Sequence, residues 1–285
     1  MSSSTAIYWL VTAQFEEVEL SQMKSDQSRK SLTMRGNRIK QKLQAGAVTL
    51  AITGHSISSD TIDFCGQLGF DGFWIEGEHG SAAWEHLGDQ TRACDLWGMT
   101  SILRVHDHEP GRITRALDLG VNGIAVPHVN TRQQAEQVVN AAYYAPIGTR
   151  GAYGSGRRGY GDPEYLHKVN DETLVILLIE EVAALQQLDE ILAVPQVDLF
   201  FVAPSDLAQS MGYLGGRNRP EVQQVVLETL HRIGAAGRVA GTVGYDEAML
   251  ETYIARGARF FLINYDAWIK QGAGRYLQTV AEVTR

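Results

Sequence analysis

Leu174-Val175-Ile176-Leu177-Leu178-Ile179-Glu180 is a run of aliphatic side chains that ends in a carboxylate. A short continuous apolar run of this kind reads as a strand buried on both faces, as in a parallel sheet covered by helices. A second such run, Val197-Asp198-Leu199-Phe200-Phe201-Val202-Ala203, leads into Pro204-Ser205-Asp206-Leu207. Outward from these two, short β-type runs alternate with helix-type periods from residue 47 onward, which predicts α/β with parallel strands. Eight strands are expected, at 47–53, 71–76, 100–105, 122–127, 174–180, 197–203, 238–243 and 259–264. Helical patterns occupy 131–142, 219–236 and 245–256 among the gaps. Glycine stands directly before a strand in Leu68-Gly69-Phe70, Leu119-Gly120-Val121 and Arg256-Gly257-Ala258, where an αβ turn needs a left-handed C-cap. The set predicts a single-domain (β/α)8 TIM barrel. A doubly wound sheet is the weaker reading, because no Gly-x-Gly-x-x-Gly follows the first strand.

The chain has 285 residues and the composition of a soluble globular protein. Its formal charge of −8, from 33 acidic and 25 basic residues, argues against nucleic acid as a partner. No stretch approaches the ~18 apolar residues needed to cross a bilayer, so no membrane partner is expected. Ile7–Val11 is apolar but lacks a basic leader and makes a poor signal peptide. Cys65 and Cys94 are too few for a disulfide framework and lack metal-ligand spacing; they read as reduced thiols of a cytoplasmic protein. Residues 1–33 are expected to be a poorly ordered N-terminal extension, and 34–285 the barrel. The barrel domain opens on a short amphipathic helix over 34–43.

In a parallel barrel the C-terminal ends of the strands converge on one mouth, where active sites sit. Here they carry Glu76-Gly77-Glu78-His79, Arg104, Pro127-His128, Glu180-Glu181, Ser205-Asp206 and Asn264-Tyr265-Asp266. Glu180 and Asp206 are candidate ligands for a divalent ion such as Mg2+, Mn2+ or Co2+, since hard oxygen donors favour such metals. Two ligands with positions left open describe a Lewis-acid site. Each has a structural alternative, an ion pair for Glu180 and a helix N-cap for Asp206. Arg104, closing an apolar strand, is costly to bury without an anionic partner; it suits an oxyanion or a structural ion pair. His79 suits proton transfer near neutral pH, or a structural role.

These motifs, in this order, resemble the metal-dependent (class II) pyruvate aldolases of the HpcH/HpaI type. The resemblance runs from about Met34 to the C-terminus. It rests on Gly69-Phe70-Asp71 with Ile75-Glu76-Gly77-Glu78-His79, on Leu103-Arg104, and on Ala116-Leu117-Asp118-Leu119-Gly120 with Val126-Pro127. It extends through Tyr144-Ala145-Pro146-Ile147-Gly148-Thr149-Arg150-Gly151, Ile179-Glu180 and Val202-Ala203-Pro204-Ser205-Asp206-Leu207. It implies an aldehyde-lyase that cleaves a 4-hydroxy-2-oxo acid or a 2-keto-3-deoxy sugar acid to pyruvate and an aldehyde through a metal-held enolate. By the same resemblance Glu180 and Asp206 would hold the metal, and Arg104 the keto oxygen. His79 would move the proton, with Asp118 as an orienting partner in its own or a neighbouring subunit or as a helix cap. The backbone around Ser205 would receive the carboxylate. The family also implies a homo-oligomer, a hexamer built as a trimer of dimers.

The long Gly/Arg/Tyr-rich connection over 145–172 is expected to cover the substrate, with Arg150 among its anion-binding groups. A Schiff-base route is disfavoured, since none of Lys24, Lys30, Lys40, Lys42, Lys168 and Lys270 closes a strand. Leu178 stands where family members often carry glutamine, and Val105-His106-Asp107-His108 where prolines are typical. The apolar spacing over 267–283 predicts a helix that closes its own barrel or packs on a partner subunit. Two other functions fit the same rim: oxaloacetate decarboxylation, and a non-catalytic barrel that binds acids.

Overall fold

The computed structural model describes residues 33–152, 156–244 and 247–285. The extension expected at 1–33 lies, but for Thr33, outside the described residues. A short helix α1 (Arg38–Gln44) precedes eight parallel strands that close into a barrel in sequence order. The strands are β1 (Thr49–Thr53), β2 (Gly72–Glu76), β3 (Thr100–Arg104), β4 (Gly123–Val126), β5 (Leu174–Ile179), β6 (Leu199–Val202), β7 (Ala240–Val243) and β8 (Ala258–Asn264). Helices α2 (Ser59–Gly66), α3 (Trp84–Leu96), α4 (Pro110–Asp118) and α5 (Arg132–Ala142) cover the first four. After them come α6 (Tyr165–Lys168), α7 (Val182–Gln186), α8 (Leu188–Leu192), α9 (Pro204–Ser210), α10 (Pro220–Ala235), α11 (Leu250–Ala255) and α12 (Asp266–Val283). All eight expected strands form, and β1 pairs with β8 to close the ring. Gly69, Gly120 and Gly257 adopt the left-handed conformation, with φ of +91°, +104° and +102°, which only glycine reaches without strain.

Alternation along the strands sorts the core into two layers. Inward-pointing Ala51, Trp74, Ile102, Ala125, Ile176, Leu178, Phe201, Phe260 and Leu262 fill the barrel. Their outward-pointing neighbours, such as Phe73, Ile75, Leu103, Val175 and Phe261, pack beneath the helices. Within the barrel Phe201 stacks 5.5 Å from Trp74 and 6.0 Å from Phe260, which floors the mouth with aromatic rings.

The opposite, N-terminal end is plugged by α1. Ile39 and Leu43 join the interior cluster, and Asn37 caps the helix by accepting from Lys40 N at 3.0 Å. Lys40 Nζ donates to Thr173 O at 2.7 Å and lies 3.1 Å from Asp198. The described residues of the connection over 145–172 belong to this end. The connection follows α5 and precedes β5, and its described residues lie on the face opposite the mouth. Asp162 there accepts from Met34 N at 2.7 Å, and Arg158 donates to Arg35 O at 3.1 Å. None of its described residues lines the mouth cavity of its own barrel, since loops at that mouth follow strands and this one follows a helix.

Candidate active site

The strand parity that fills the barrel also builds the site. Gly72-Trp74-Glu76 and Thr100-Ile102-Arg104 each step inward by twos, and Ile176-Leu178-Glu180 continues in the same way just past β5. Their last members thus meet at the C-terminal mouth. A cavity of about 280 Å³ opens there, lined by Thr53, Glu76, His79, Arg104, Ser205, Asp206 and Asn264 above the apolar floor.

Arg104 is the centre of the charge. Its side chain is only 12% exposed; Nε lies 2.9 and 2.8 Å from the two Glu76 oxygens, and Nη1 lies 3.0 Å from Glu78 Oε2. Burial opposes the guanidinium charge, but Glu76, Glu78 and Glu180 outweigh it and hold Arg104 more firmly protonated than in water. Nη2 makes no hydrogen bond to the described protein. Glu76 also accepts the backbone N–H groups of Glu78 and His79, at 2.9 and 3.0 Å. The burial that would raise its carboxyl is outweighed by Arg104 and these N–H donors, so its pKa falls below the usual carboxylate range. Gly77 lets the turn close on β3, since a Cβ there would strike the Arg104 carbonyl. The Gly-Glu-His turn thus aims an exposed His79 ring at the rim.

Glu180 is buried behind the rim. It accepts the His128 N–H at 2.8 Å, and His128 holds the left-handed conformation, with φ of +57°. The His128 ring bridges Glu181, 2.7 Å from Nδ1, and Glu78, 3.1 Å from Nε2. Burial and the nearby charge of Asp206 push the Glu180 carboxyl up to about 7, against the opposing pull of His128. Two carboxylates that penalise one another in this way fit a divalent cation, whose charge reverses the penalty. Among the described residues no group of three or more His, Cys, Asp and Glu is arranged to hold a metal.

Of the residues expected from sequence, His79, Arg104, Ser205 and Asp206 line one cavity, and Glu180 stands directly behind it. Asp118 and Arg150 do not join them. Arg150 Nη2 donates to Asp118 at 2.6 Å, and its guanidinium stacks 4.6 Å from the Tyr144 ring centroid. Asp118 closes α4 and Arg150 lies in the αβ connection, so the pair sits at the face opposite the mouth. Neither reaches His79 or the cavity of its own barrel, where they form an ion pair at a helix C-terminus. Glu76, Glu78 and His128, which the sequence places at the strand ends without assigning them a role, also meet here. The parity of Trp74 and Glu76 is the signal that marks Glu76.

A family model described as HpcH/HpaI aldolase/citrate lyase matches residues 55–269. The chain belongs to the HpcH/HpaI aldolase/citrate lyase family. It is 34% identical to the 2-keto-3-deoxy-L-rhamnonate aldolase of Klebsiella pneumoniae over 82% of this chain and 88% of that protein. It is also 34% identical to the hydroxypyruvate/pyruvate aldolase of Roseobacter denitrificans, over 84% and 94%. A solved HpcH/HpaI aldolase/citrate lyase family protein from Burkholderia cenocepacia superposes with a TM-score of 0.80 at 27% identity, covering 86% of this chain and 99% of that one. No helix among the described residues is long and apolar enough to cross a membrane.

Proposed function

We propose that this family member is a divalent-metal-dependent aldolase that reversibly cleaves a 4-hydroxy-2-oxo acid, or a 2-keto-3-deoxy sugar acid, to pyruvate and an aldehyde. The observation that carries the reading is the gathering of Arg104, His79, Ser205 and Asp206 around one cavity with Glu180 behind it. A Mg2+, Mn2+ or Co2+ ion held by Glu180 and Asp206 supplies Lewis-acid polarisation of the 2-oxo group when bound. Ser205 and Asp206 lie in the first turn of α9, whose N–H groups have no intrahelical acceptor and suit the substrate carboxylate. His79 takes the C4 hydroxyl proton, directly or through a water. The C3–C4 bond then breaks, its electron pair becomes the C2=C3 bond of an enolate, and the aldehyde leaves. Arg104 holds the resulting negative oxygen. Proton return from His79 to C3 gives pyruvate.

Pyruvate release from a racemic 4-hydroxy-2-oxo acid, lost in EDTA, restored by Mg2+, Mn2+ or Co2+ and abolished by Glu180→Ala and Asp206→Ala, is the expected result. Release from oxaloacetate alone would replace aldol cleavage with decarboxylation, and metal binding without turnover would leave an acid-binding barrel. We further read the protein as a cytoplasmic homo-oligomer. None of the α12 residues is buried, and Trp268, Ile269, Tyr276 and Leu277 are exposed along it; such an apolar face calls for a partner subunit. Cys65 and Cys94 are free and buried, in keeping with a reducing compartment.

A further inference from the structure

Strand parity brings two neutral polar side chains into the catalytic cavity. On β1 Ala51 points into the barrel, so Thr53 does the same one step nearer the mouth; on β8 Phe260 and Leu262 point inward, and Asn264 follows them. Barrel closure sets Thr53 beside Asn264 in register, and both line the cavity of about 280 Å³ together with His79 and Arg104. β1 stands four strands round the ring from β5 in either direction. The pair therefore faces the side of the mouth where Glu180 and Asp206 would hold the metal.

Both side chains carry an unused donor. Asn264 Oδ1 accepts the Asp266 N–H at 2.8 Å, which fixes the amide orientation and leaves the Nδ2 hydrogens for the cavity. Thr53 is only 9% exposed. Neither Thr53 Oγ1 nor Asn264 Nδ2 makes a hydrogen bond to the described protein, so each has water or a ligand as its partner. Glu76 on the neighbouring strand is already spent, its oxygens accepting Arg104 Nε and the Glu78 and His79 N–H groups. What this side of the cavity offers a substrate beside His79 is thus a neutral amide and a hydroxyl.

With the substrate carboxylate at the first turn of α9 and the 2-oxo group at Arg104, C3 and C4 extend away from β5 and β6, toward β1, β2 and β8. The C4 oxygen is the atom there whose charge changes. It becomes alkoxide-like as His79 takes its proton, before the C3–C4 bond breaks, and in condensation the aldehyde oxygen gains the same charge. A fixed donor that strengthens on a developing oxyanion lowers the barrier more than it tightens ground-state binding. We propose that Asn264 Nδ2 and Thr53 Oγ1 are catalytic donors to the C4 oxygen, forming a second oxyanion site separate from the one Arg104 serves. The inference rests on the aldolase reading and adds to it the groups that hold this oxygen while His79 removes its proton.

The test compares two reactions on the full chain with Mg2+. One is cleavage of racemic 4-hydroxy-2-oxopentanoate; the other is exchange of the pyruvate C3 protons in D2O, followed by NMR, which forms the same enolate but has no C4 oxygen. Asn264→Ala is expected to lower the ratio of cleavage to exchange about 100-fold, as loss of one oxyanion-hole donor does. Thr53→Val is expected to lower it about 10-fold, as loss of a neutral hydrogen bond does. Asn264→Asp keeps the oxygen that accepts the Asp266 N–H but lacks the donor, and its ratio is expected to be no higher than that of Asn264→Ala. Loss of folded protein or of metal lowers both reactions and leaves the ratio where it was. A ratio unmoved by Asn264→Ala and Thr53→Val, or restored by Asn264→Asp, overturns the assignment while leaving the aldolase reading intact. Cleavage of no 4-hydroxy-2-oxo acid by the unaltered chain, with or without exchange, overturns the aldolase reading and the assignment with it.

Discussion

Replacing Glu180 with glutamine should stabilise the metal-free protein at alkaline pH. In the folded chain burial and Asp206 raise the Glu180 carboxyl from 4.5 to about 7. An acid whose pKa is raised on folding contributes stability that is fully present below about 4.5 and lost as pH rises through about 7. At 1.36 kcal/mol per unit, ionising Glu180 at pH 8 costs the metal-free fold about 3 kcal/mol. Glu180→Gln removes that charge and keeps a carbonyl oxygen for the His128 N–H, so the gain should appear without a new unpaired group. For a protein of this size 3 kcal/mol corresponds to a shift in Tm on the order of 5–10 °C. The assay is thermal unfolding of both proteins in EDTA between pH 5.5 and 8. The variant's advantage should grow with pH, and added Mg2+ should stabilise the native protein but not the variant. An advantage that is absent at pH 8, or that does not change with pH, would refute the claim that Glu180 is desolvated against Asp206.

Arg104→Lys should lower kcat for pyruvate release by about 100-fold or more, since a single ammonium cannot serve Glu76, Glu78 and an oxyanion together; steady-state kinetics at saturating metal reads it. His128→Ala should weaken metal binding about 10-fold by freeing Glu181 and Glu78 beside Glu180, as titration calorimetry would show. His128→Gly should be about 1 kcal/mol more stable than His128→Ala in urea denaturation, because residue 128 holds a positive φ. Asp118→Ala should cost about 3 kcal/mol of stability by leaving the buried Arg150 guanidinium unpaired, measured in the same denaturation. Leu277→Asp with Tyr276→Asp should lower the sedimentation coefficient if α12 joins subunits, and an unchanged coefficient would place that contact elsewhere.

Much of the fold could be read from local pattern. Each strand is short, bounded by glycine or polar residues, and apolar on both faces, so all eight were visible with ends displaced by one or two residues. Arg104, Glu180 and Asp206 stood out because a charge at the end of an apolar run has few reasons to be there. Local pattern said least where the answer depended on which end of the barrel a segment occupies. Arg150 and the glycine-rich connection looked like anion-binding chemistry, yet position after α5 carries them to the far face. Asp118, read as a partner for His79 in its own or a neighbouring subunit or as a helix cap, pairs within its own barrel with Arg150, 32 residues along the chain. His128 was placed on the rim by its strand end but given no role, because its importance comes from its neighbours, Glu78 and Glu181, which are 50 and 53 residues away in sequence.

The amino-acid sequence by itself determined the alternation of strands and helices, the inward parity that sends Glu76, Arg104 and Glu180 to one rim, and the family. These follow from short-range periodicity and from residue types whose burial is costly unless they are used. Tertiary structure alone decided which carboxylates surround Arg104, that Glu180 is buried against Asp206, and that Thr53 stands beside Asn264. Those facts depend on distances between segments far apart in the chain, and closure of the barrel brings them together.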